Sequence, residues 1–135
     1  MRTMDKVALV GGAALAVATD LGSRKVTPES MVVPAAAVGL VTAAAIYPAA
    51  RKGRDASRGV VLREAAALVG TGAVLAAAVA KRGSTTAKRT VAAGWLAHAI
   101  FDNVHNRGPT SRLPGWYPAA CAGYDVALAG LVLRS

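Results

Sequence analysis

The sequence predicts an all-α protein, a polytopic transmembrane bundle of about five helices, and its composition is the first reason. Of the 135 residues, 54% are hydrophobic and 17% are charged, whereas soluble domains average about 45–50% apolar and about 25% charged residues. The mean hydropathy is +0.41. Most Lys and Arg residues stand in short clusters between apolar runs, as at the flanks of membrane spans. We therefore expect residues 1–135 to form one transmembrane helical domain.

The distribution of charge and the cysteine content argue against two other classes of protein: nucleic-acid-binding proteins, and proteins held together by disulfides or cysteine-rich metal sites. A formal charge of +9 would suggest nucleic acid as the partner of a soluble protein. Because the basic residues flank apolar runs instead, we expect the lipid bilayer as the partner and no nucleic acid. Cys121 is the only cysteine, so the chain has no internal disulfide and no cysteine-rich metal site.

The first apolar run covers residues 7–20 and follows a short basic start with Arg2 and Lys6. A charged head before a short apolar stretch also describes a signal peptide. The bundle therefore has four spans if this run is a signal or a peripheral segment, and five if it crosses the bilayer. Residues 21–27 are predicted to form a polar turn.

The second span begins at residues 27–29, which supply a cap residue, a proline and an acid in the first turn. It ends near Ala50 and contains Pro34 and Pro48, where bends are expected. Three further apolar runs predict three more spans, at residues 60–80, 87–106 and 118–133.

Alternating spans put three polar segments on one membrane face: the N-terminus and the loops at 51–59 and 107–117. This face has slightly more Lys and Arg than the other, which favours a cytoplasmic location for it. Trp116 and Tyr117 are expected at the water boundary. Several glycines are expected to allow close helix contact: Gly11, Gly12, Gly70, Gly72 and Gly94.

The fourth span carries the most informative pattern of the chain. His98, Asp102 and His105 stand at i, i+4 and i+7 and fall within an arc of about 60° on a helix. Ionisable groups at membrane depth are costly, so they usually face the protein interior, where they coordinate, pair or relay protons.

Helix rise places other polar residues at overlapping depths in the same half of the membrane. Cys121 and Asp125 share a face of the fifth span, and Glu64 lies near the start of the third. Imidazoles and carboxylates from several helices suit zinc, iron or manganese. The predicted metal ligands are His98, Asp102, His105 and Asp125, and the predicted catalytic residues are His98, Asp102 and Glu64.

Each of these residues has a second interpretation. The histidines and acids would also serve as a structural polar network between helices, or as a proton or ion path. Glu64 would then pair with Arg63 or Arg58 at the surface. A substrate pocket is predicted at Trp95, Cys121 and Tyr124, although core packing accounts for a tryptophan and a buried cysteine equally well.

These motifs resemble a family of small bacterial integral membrane proteins, a domain of unknown function with a Trp-Leu-x-His-x-x-x-Asp-x-x-His-His signature. The matching residues are Gly94-Trp95-Leu96-x-His98-x-x-x-Asp102-x-x-His105 and, later, Cys121-x-x-x-Asp125. Asn106 stands where the signature has its last histidine. The resemblance implies a shared site at His98, Asp102, His105 and Asp125 in a bacterial inner (cytoplasmic) membrane. It implies no known activity.

The function predicted from these residues is that of a metal-dependent membrane enzyme, of hydrolase, isomerase or cyclase type, acting on a lipophilic or amphiphilic small molecule. Its site chemistry is similar to that of polytopic membrane hydrolases that hold zinc between His and Asp side chains. The alternatives are a proton-coupled transporter of a small solute and a structural or accessory subunit. A homo-oligomer is expected for a transporter, because five short spans leave little room for a pore.

Overall fold

The computed structural model describes residues 1–51, 57–105 and 111–135. Five helices account for almost all of this part of the chain, which contains no strand and only an isolated bridge between Arg51 and Ser111. The predicted all-α class and the number of helices are confirmed. The helices are α1 (Thr3–Val26), α2 (Glu29–Ala49), α3 (Arg58–Ala80), α4 (Thr85–Val104) and α5 (Tyr117–Arg134).

Three of the helices, α1, α2 and α3, are long and apolar enough to cross a membrane. Helices α4 and α5 do not meet the same criterion within the described residues; α4 carries Lys88 and Arg89 near its start and Asp102 near its end, and α5 carries Asp125 and Arg134. Many large apolar side chains point outward, including Val7, Val69 and Ile100. A surface with so many exposed apolar side chains is typical of a lipid or protein interface.

The predicted polar turn at residues 21–27 is wrong, because α1 continues to Val26. Asp20 stabilises this extension from within the helix. Its carboxylate accepts a hydrogen bond of 2.7 Å from Arg24, and its backbone carbonyl accepts one of 2.9 Å from the Ser23 hydroxyl. Arg24 and Lys25 also lie in the last turn, where cations interact favourably with the helix dipole.

The boundaries of α3 and α4 are set by serine caps. The Val60 amide donates to the Ser57 hydroxyl at 3.4 Å, and the Ala87 amide donates to the Ser84 hydroxyl at 3.1 Å. Such caps satisfy amides that have no partner within the helix. Helix α4 therefore begins before the predicted residue 87; its predicted end at Asn106 lies outside the described residues. Helix α2 runs without interruption through Pro34 and Pro48.

Helix α5 lies between α1 and α4, α2 packs on α3, and α4 contacts α2, α3 and α5. At one end of the bundle Arg2 lies beside Gly115, and at the other end Asp20 lines the same cavity as Leu128. Helices α1 and α5 therefore run parallel. The Arg112 amide donates to the Ala50 carbonyl at 3.0 Å, which brings the end of α2 to the start of α5, as alternating helices require.

Two glycines allow α1 and α5 to approach at backbone distance. A Cβ atom on Gly12 would overlap the carbonyl of Ala120, and one on Gly123 would overlap the carbonyl of Leu9. Small residues are the usual means of close helix packing where lipid replaces water. The prediction of a close contact is therefore confirmed for Gly12.

The other predicted glycine contacts give a mixed result. A Cβ atom on Gly94 would lie 2.6 Å from the Leu40 side chain, so Gly94 also allows a close contact. The prediction is wrong for Gly11, Gly70 and Gly72, because these positions have open space within 4 Å of the same hypothetical atom.

Candidate metal centre

Three buried side chains from two helices form the polar centre of the bundle. His98 Nδ1 lies 2.9 Å from Asp125 Oδ2 and 3.4 Å from Asp102 Oδ2. One turn of α4 separates His98 from Asp102, and the packing of α5 on α4 brings Asp125 to both. None of the three side chains is more than 4% exposed.

The geometry and the donor set of this group fit a metal ion. The three residues each offer one ligand atom, and these atoms all lie within 4.8 Å of one another. One imidazole nitrogen and two carboxylate oxygens suit zinc, iron or manganese. Three protein ligands also match catalytic sites, in which a further position stays open for water or substrate.

Several polar atoms at the same place lack a hydrogen-bond partner. His98 Nε2 and both carboxylate oxygens of Asp102 are buried and have no hydrogen-bond partner. Buried polar atoms in proteins are almost always paired, because an unpaired one loses its hydration without compensation. A cation held by Asp102 would supply the missing interaction.

Sequence reasoning missed Tyr47, which belongs to the surroundings of this group. The Tyr47 hydroxyl is buried beside the Asp102 carboxylate without an aligned hydrogen bond. The Cys121 thiol also lies beside Asp102. Its position in the sequence was the one feature that could have revealed it. Tyr47 lies in the last turn of α2, at the end of the bundle where His98 and Asp102 were predicted.

A second polar group contains the other two predicted site residues, Glu64 and His105. His105 Nε2 lies 3.0 Å from Glu64 Oε1, and the other oxygen of Glu64 forms an ion pair with Arg51. Glu64 is only 4% exposed. Its partners are thus His105 and Arg51 rather than Arg63 or Arg58, and the group connects α3 with the ends of α2 and α4.

The structure therefore divides the predicted site in two. Neither His105 nor Glu64 has a ligand atom within the 4.8 Å group. Two turns of α4 separate His98 from His105, or about 10 Å along the axis, so a shared helix face does not let them share an ion. Phe101 stacks on His105 at 4.5 Å between ring centroids and lies 6.0 Å from His98.

The predicted pocket residues Trp95, Cys121 and Tyr124 line one cavity of about 490 Å³, together with Asp125. Trp95 is 1% exposed, and its ring centroid lies 5.6 Å from that of Tyr124. Trp95 also belongs to the hydrophobic core, so core packing accounts for its burial, and its role in a substrate pocket stays a prediction. A second cavity of about 580 Å³ lies between α3 and α4 and reaches His98 and Phe101.

Comparison of the chain with protein-family models, with curated proteins and with solved structures gives no match.

Proposed function

We propose that the chain is a polytopic membrane protein in which all five helices cross the bilayer. Support comes from the three helices that are long and apolar enough to do so and from the outward-facing apolar side chains. Helices α4 and α5 carry ionisable residues, but His98, Asp102 and Asp125 are turned inward and buried. Inward-facing, paired ionisable residues are the form in which membrane helices tolerate such groups. A bacterial inner membrane and the family resembled by the Trp95–His105 motif belong to the same proposal.

We propose further that the protein is a metal-dependent membrane enzyme acting on a lipophilic small molecule. The observation that carries this proposal is the convergence of His98, Asp102 and Asp125, with ligand atoms within 4.8 Å and with unpartnered buried atoms beside them. Zinc, iron or manganese bound there would polarise an oxygen of the substrate or of a water molecule. That chemistry fits a hydrolase, an isomerase or a cyclase.

The protein side chains have separate roles in this proposal. His98 and Asp102 would hold the ion from one helix, and Asp125 would hold it from the neighbouring helix. The Tyr47 hydroxyl lies beside Asp102 without a hydrogen-bond partner and would have to rotate toward that carboxylate to orient it, as outer partners of metal ligands commonly do. Without a metal, the His98–Asp102 pair would still supply a general acid or base for an isomerisation or cyclisation.

Metal analysis of protein purified without chelator tests this function. The wild-type chain is expected to retain a stoichiometric transition metal, which His98→Ala removes. His105→Ala is the matched control, because His105 is the other histidine of the chain and pairs with Glu64 instead. Circular dichroism would verify that each variant remains helical. Metal-free wild-type protein, or equal loss from both variants, contradicts the proposal.

A second candidate function, a proton-coupled carrier of a small solute, is favoured by one observation. Polar side chains lead from the end of the bundle to its centre. In order, they are Arg51, Glu64, His105, Tyr47, Asp102, His98 and Asp125. The ring centroids of His105 and Tyr47 are 4.9 Å apart. Chains of this type serve as proton relays in membrane proteins. Proton flux into liposomes that Glu64→Gln abolishes would favour this candidate.

A further inference from the structure

The cavity of about 490 Å³ lined by Trp95, Cys121 and Tyr124, here called the aromatic cavity, touches the candidate metal centre directly. Asp125 is part of its wall. Cys121 lines it as well, and the thiol of Cys121 lies beside Asp102. A molecule in this cavity would therefore contact Asp125 directly, while Asp102 lies behind the Cys121 thiol. The volume of the aromatic cavity lies within the range of about 300–1,000 Å³ that is typical of small-molecule sites.

The larger cavity between α3 and α4 is a weaker candidate for the same role. Of the three residues of the centre, only His98 reaches it. The rest of its wall consists mainly of small aliphatic residues such as Ala93 and Ala97, with two threonines. The aromatic cavity instead offers Trp116, Tyr117, Tyr124 and Thr42 as additional polar or aromatic contacts. Apolar walls with a few convergent polar groups are characteristic of ligand sites.

The charge of the wall restricts what the aromatic cavity can bind. Among the residues that the structure describes, the lining includes one carboxylate, that of Asp125, and contains no Lys or Arg. A phosphate or carboxylate head group would be buried there without a cationic side chain to pair with, which is strongly unfavourable.

We propose that the aromatic cavity binds an uncharged lipophilic molecule whose polar end is a hydroxyl group, as in a long-chain alcohol, because a hydroxyl can donate a hydrogen bond to the Asp125 carboxylate. Its apolar body lies along the α2 residues Val38, Thr42 and Ile46, and its oxygen lies at Asp125 and Cys121. This inference names the substrate class of the proposed enzyme and rests on that proposed function for its catalytic meaning. The binding itself requires no metal chemistry and is tested separately.

Cys121 is a built-in reporter of this cavity, since it is the single cysteine of the chain and is half-buried in the wall. The experiment measures the rate at which a maleimide modifies Cys121 in wild-type protein in lipid nanodiscs. Dodecanol at about ten times its dissociation constant is expected to slow this reaction about tenfold by mass action. Dodecyl phosphate at the same concentration is expected to leave the rate unchanged.

Two substitutions of alanine by tryptophan distinguish the cavities. Ala43→Trp fills the aromatic cavity, so dodecanol should lose its effect on Cys121. Ala97→Trp fills the cavity between α3 and α4 and should leave the protection intact. If Ala43→Trp fails to fold, the smaller change Ala43→Leu serves in its place. No protection by dodecanol, equal protection by dodecyl phosphate, or loss of protection in Ala97→Trp would each overturn the inference.

The same measurements separate this inference from the proposed function. Failure of the metal proposal would appear as metal-free protein in which dodecanol still protects Cys121. Failure of the inference would appear as metal-containing protein in which dodecanol gives no protection. His98→Ala is expected to lose the metal, and its Cys121 should still be protected because His98 is not part of the aromatic cavity wall.

Discussion

His98 Nδ1 and Asp125 Oδ2 are 2.9 Å apart, although 27 residues separate them in the chain. Both side chains are almost fully buried, at 4% and 1% exposure. This contact is a polar connection between α4 and α5, which also pack through apolar and small residues. It also fixes the ring orientation of His98, because one ring nitrogen is committed to Asp125.

A double-mutant cycle on this pair should show strong coupling. In metal-free protein, Asp125→Ala is expected to lower the free energy of unfolding by about 3 kcal/mol, because it leaves His98 and Asp102 buried without this partner. The double variant His98→Ala/Asp125→Ala should cost less than the sum of the single changes, with a coupling of about 1–2 kcal/mol. Reversible unfolding in mixed micelles measures these values.

The control for this cycle is Val126→Ala, which changes the exposed neighbour of Asp125 and should alter stability by less than about 0.5 kcal/mol. Strictly additive single changes would mean that the 2.9 Å contact does not stabilise the fold.

Glu64 is predicted to be a stabilising residue at the start of α3. Glu64→Ala would leave Arg51 and His105 without their carboxylate partner, and it should lower the free energy of unfolding by about 3–5 kcal/mol. Arg63→Ala changes the exposed side chain next to it and should cost less than about 0.5 kcal/mol. Thermal unfolding followed by circular dichroism compares the two variants. Equal effects of the two substitutions would instead support the interpretation that Glu64 pairs with Arg63 at the surface.

The sequence was sufficient to predict the helices and part of the site. Runs of Ala, Val and Leu between basic clusters predicted five helices, and the i, i+4 spacing of His98 and Asp102 placed both on one face of α4. Alternating helix direction then brought Asp125 to the same depth. Each of these inferences uses periodicity and rise, which are local properties of a helix.

The errors arose where a residue's partner was set by tertiary packing or by axial distance. The i+7 spacing of His105 gave the correct face of α4 and already implied about 10 Å of axial separation from His98, so the error was to let both histidines share one ion. Arg51 follows α2 outside any helix, so no periodic pattern could assign it to Glu64. The turn expected at residues 21–27 was wrong because the ion pair between Asp20 and Arg24 favours helix where composition alone suggests a loop.

Labelling of single cysteines in sealed vesicles should show that the two ends of α3 lie on opposite sides of the membrane. The helix has 23 residues and is therefore about 35 Å long, enough for a hydrocarbon core of about 30 Å. In a Cys121→Ser background, an impermeant maleimide should label Arg58→Cys and Arg112→Cys from one side and Lys81→Cys from the other. The distribution of basic residues favours a cytoplasmic location for the first two positions.

Detergent should expose all three positions equally, which controls for intrinsic reactivity. Equal labelling of all three in sealed vesicles would show that α3 lies on one side of the bilayer, and the five-span proposal would then be abandoned.

The contact between α1 and α5 should depend on Gly12 far more than on its neighbour. Gly12→Ala places a methyl group against the carbonyl of Ala120, which is backbone and has no other rotamer to adopt. Overpacking of this type costs about 1–3 kcal/mol. Gly11→Ala adds the same methyl group where nothing lies within 4 Å, so stability should stay constant or rise by up to about 1 kcal/mol through helix propensity.

The same pair of variants links the packing of α1 to the aromatic cavity, because Gly12 lies in the cavity wall. Separation of α1 from α5 in Gly12→Ala should open that wall, so a maleimide should modify Cys121 faster than in the wild type. Gly11→Ala should leave the rate unchanged, since position 11 faces away from the contact. If both variants react at the wild-type rate, α1 does not close the cavity, and the route to Cys121 lies elsewhere in the bundle.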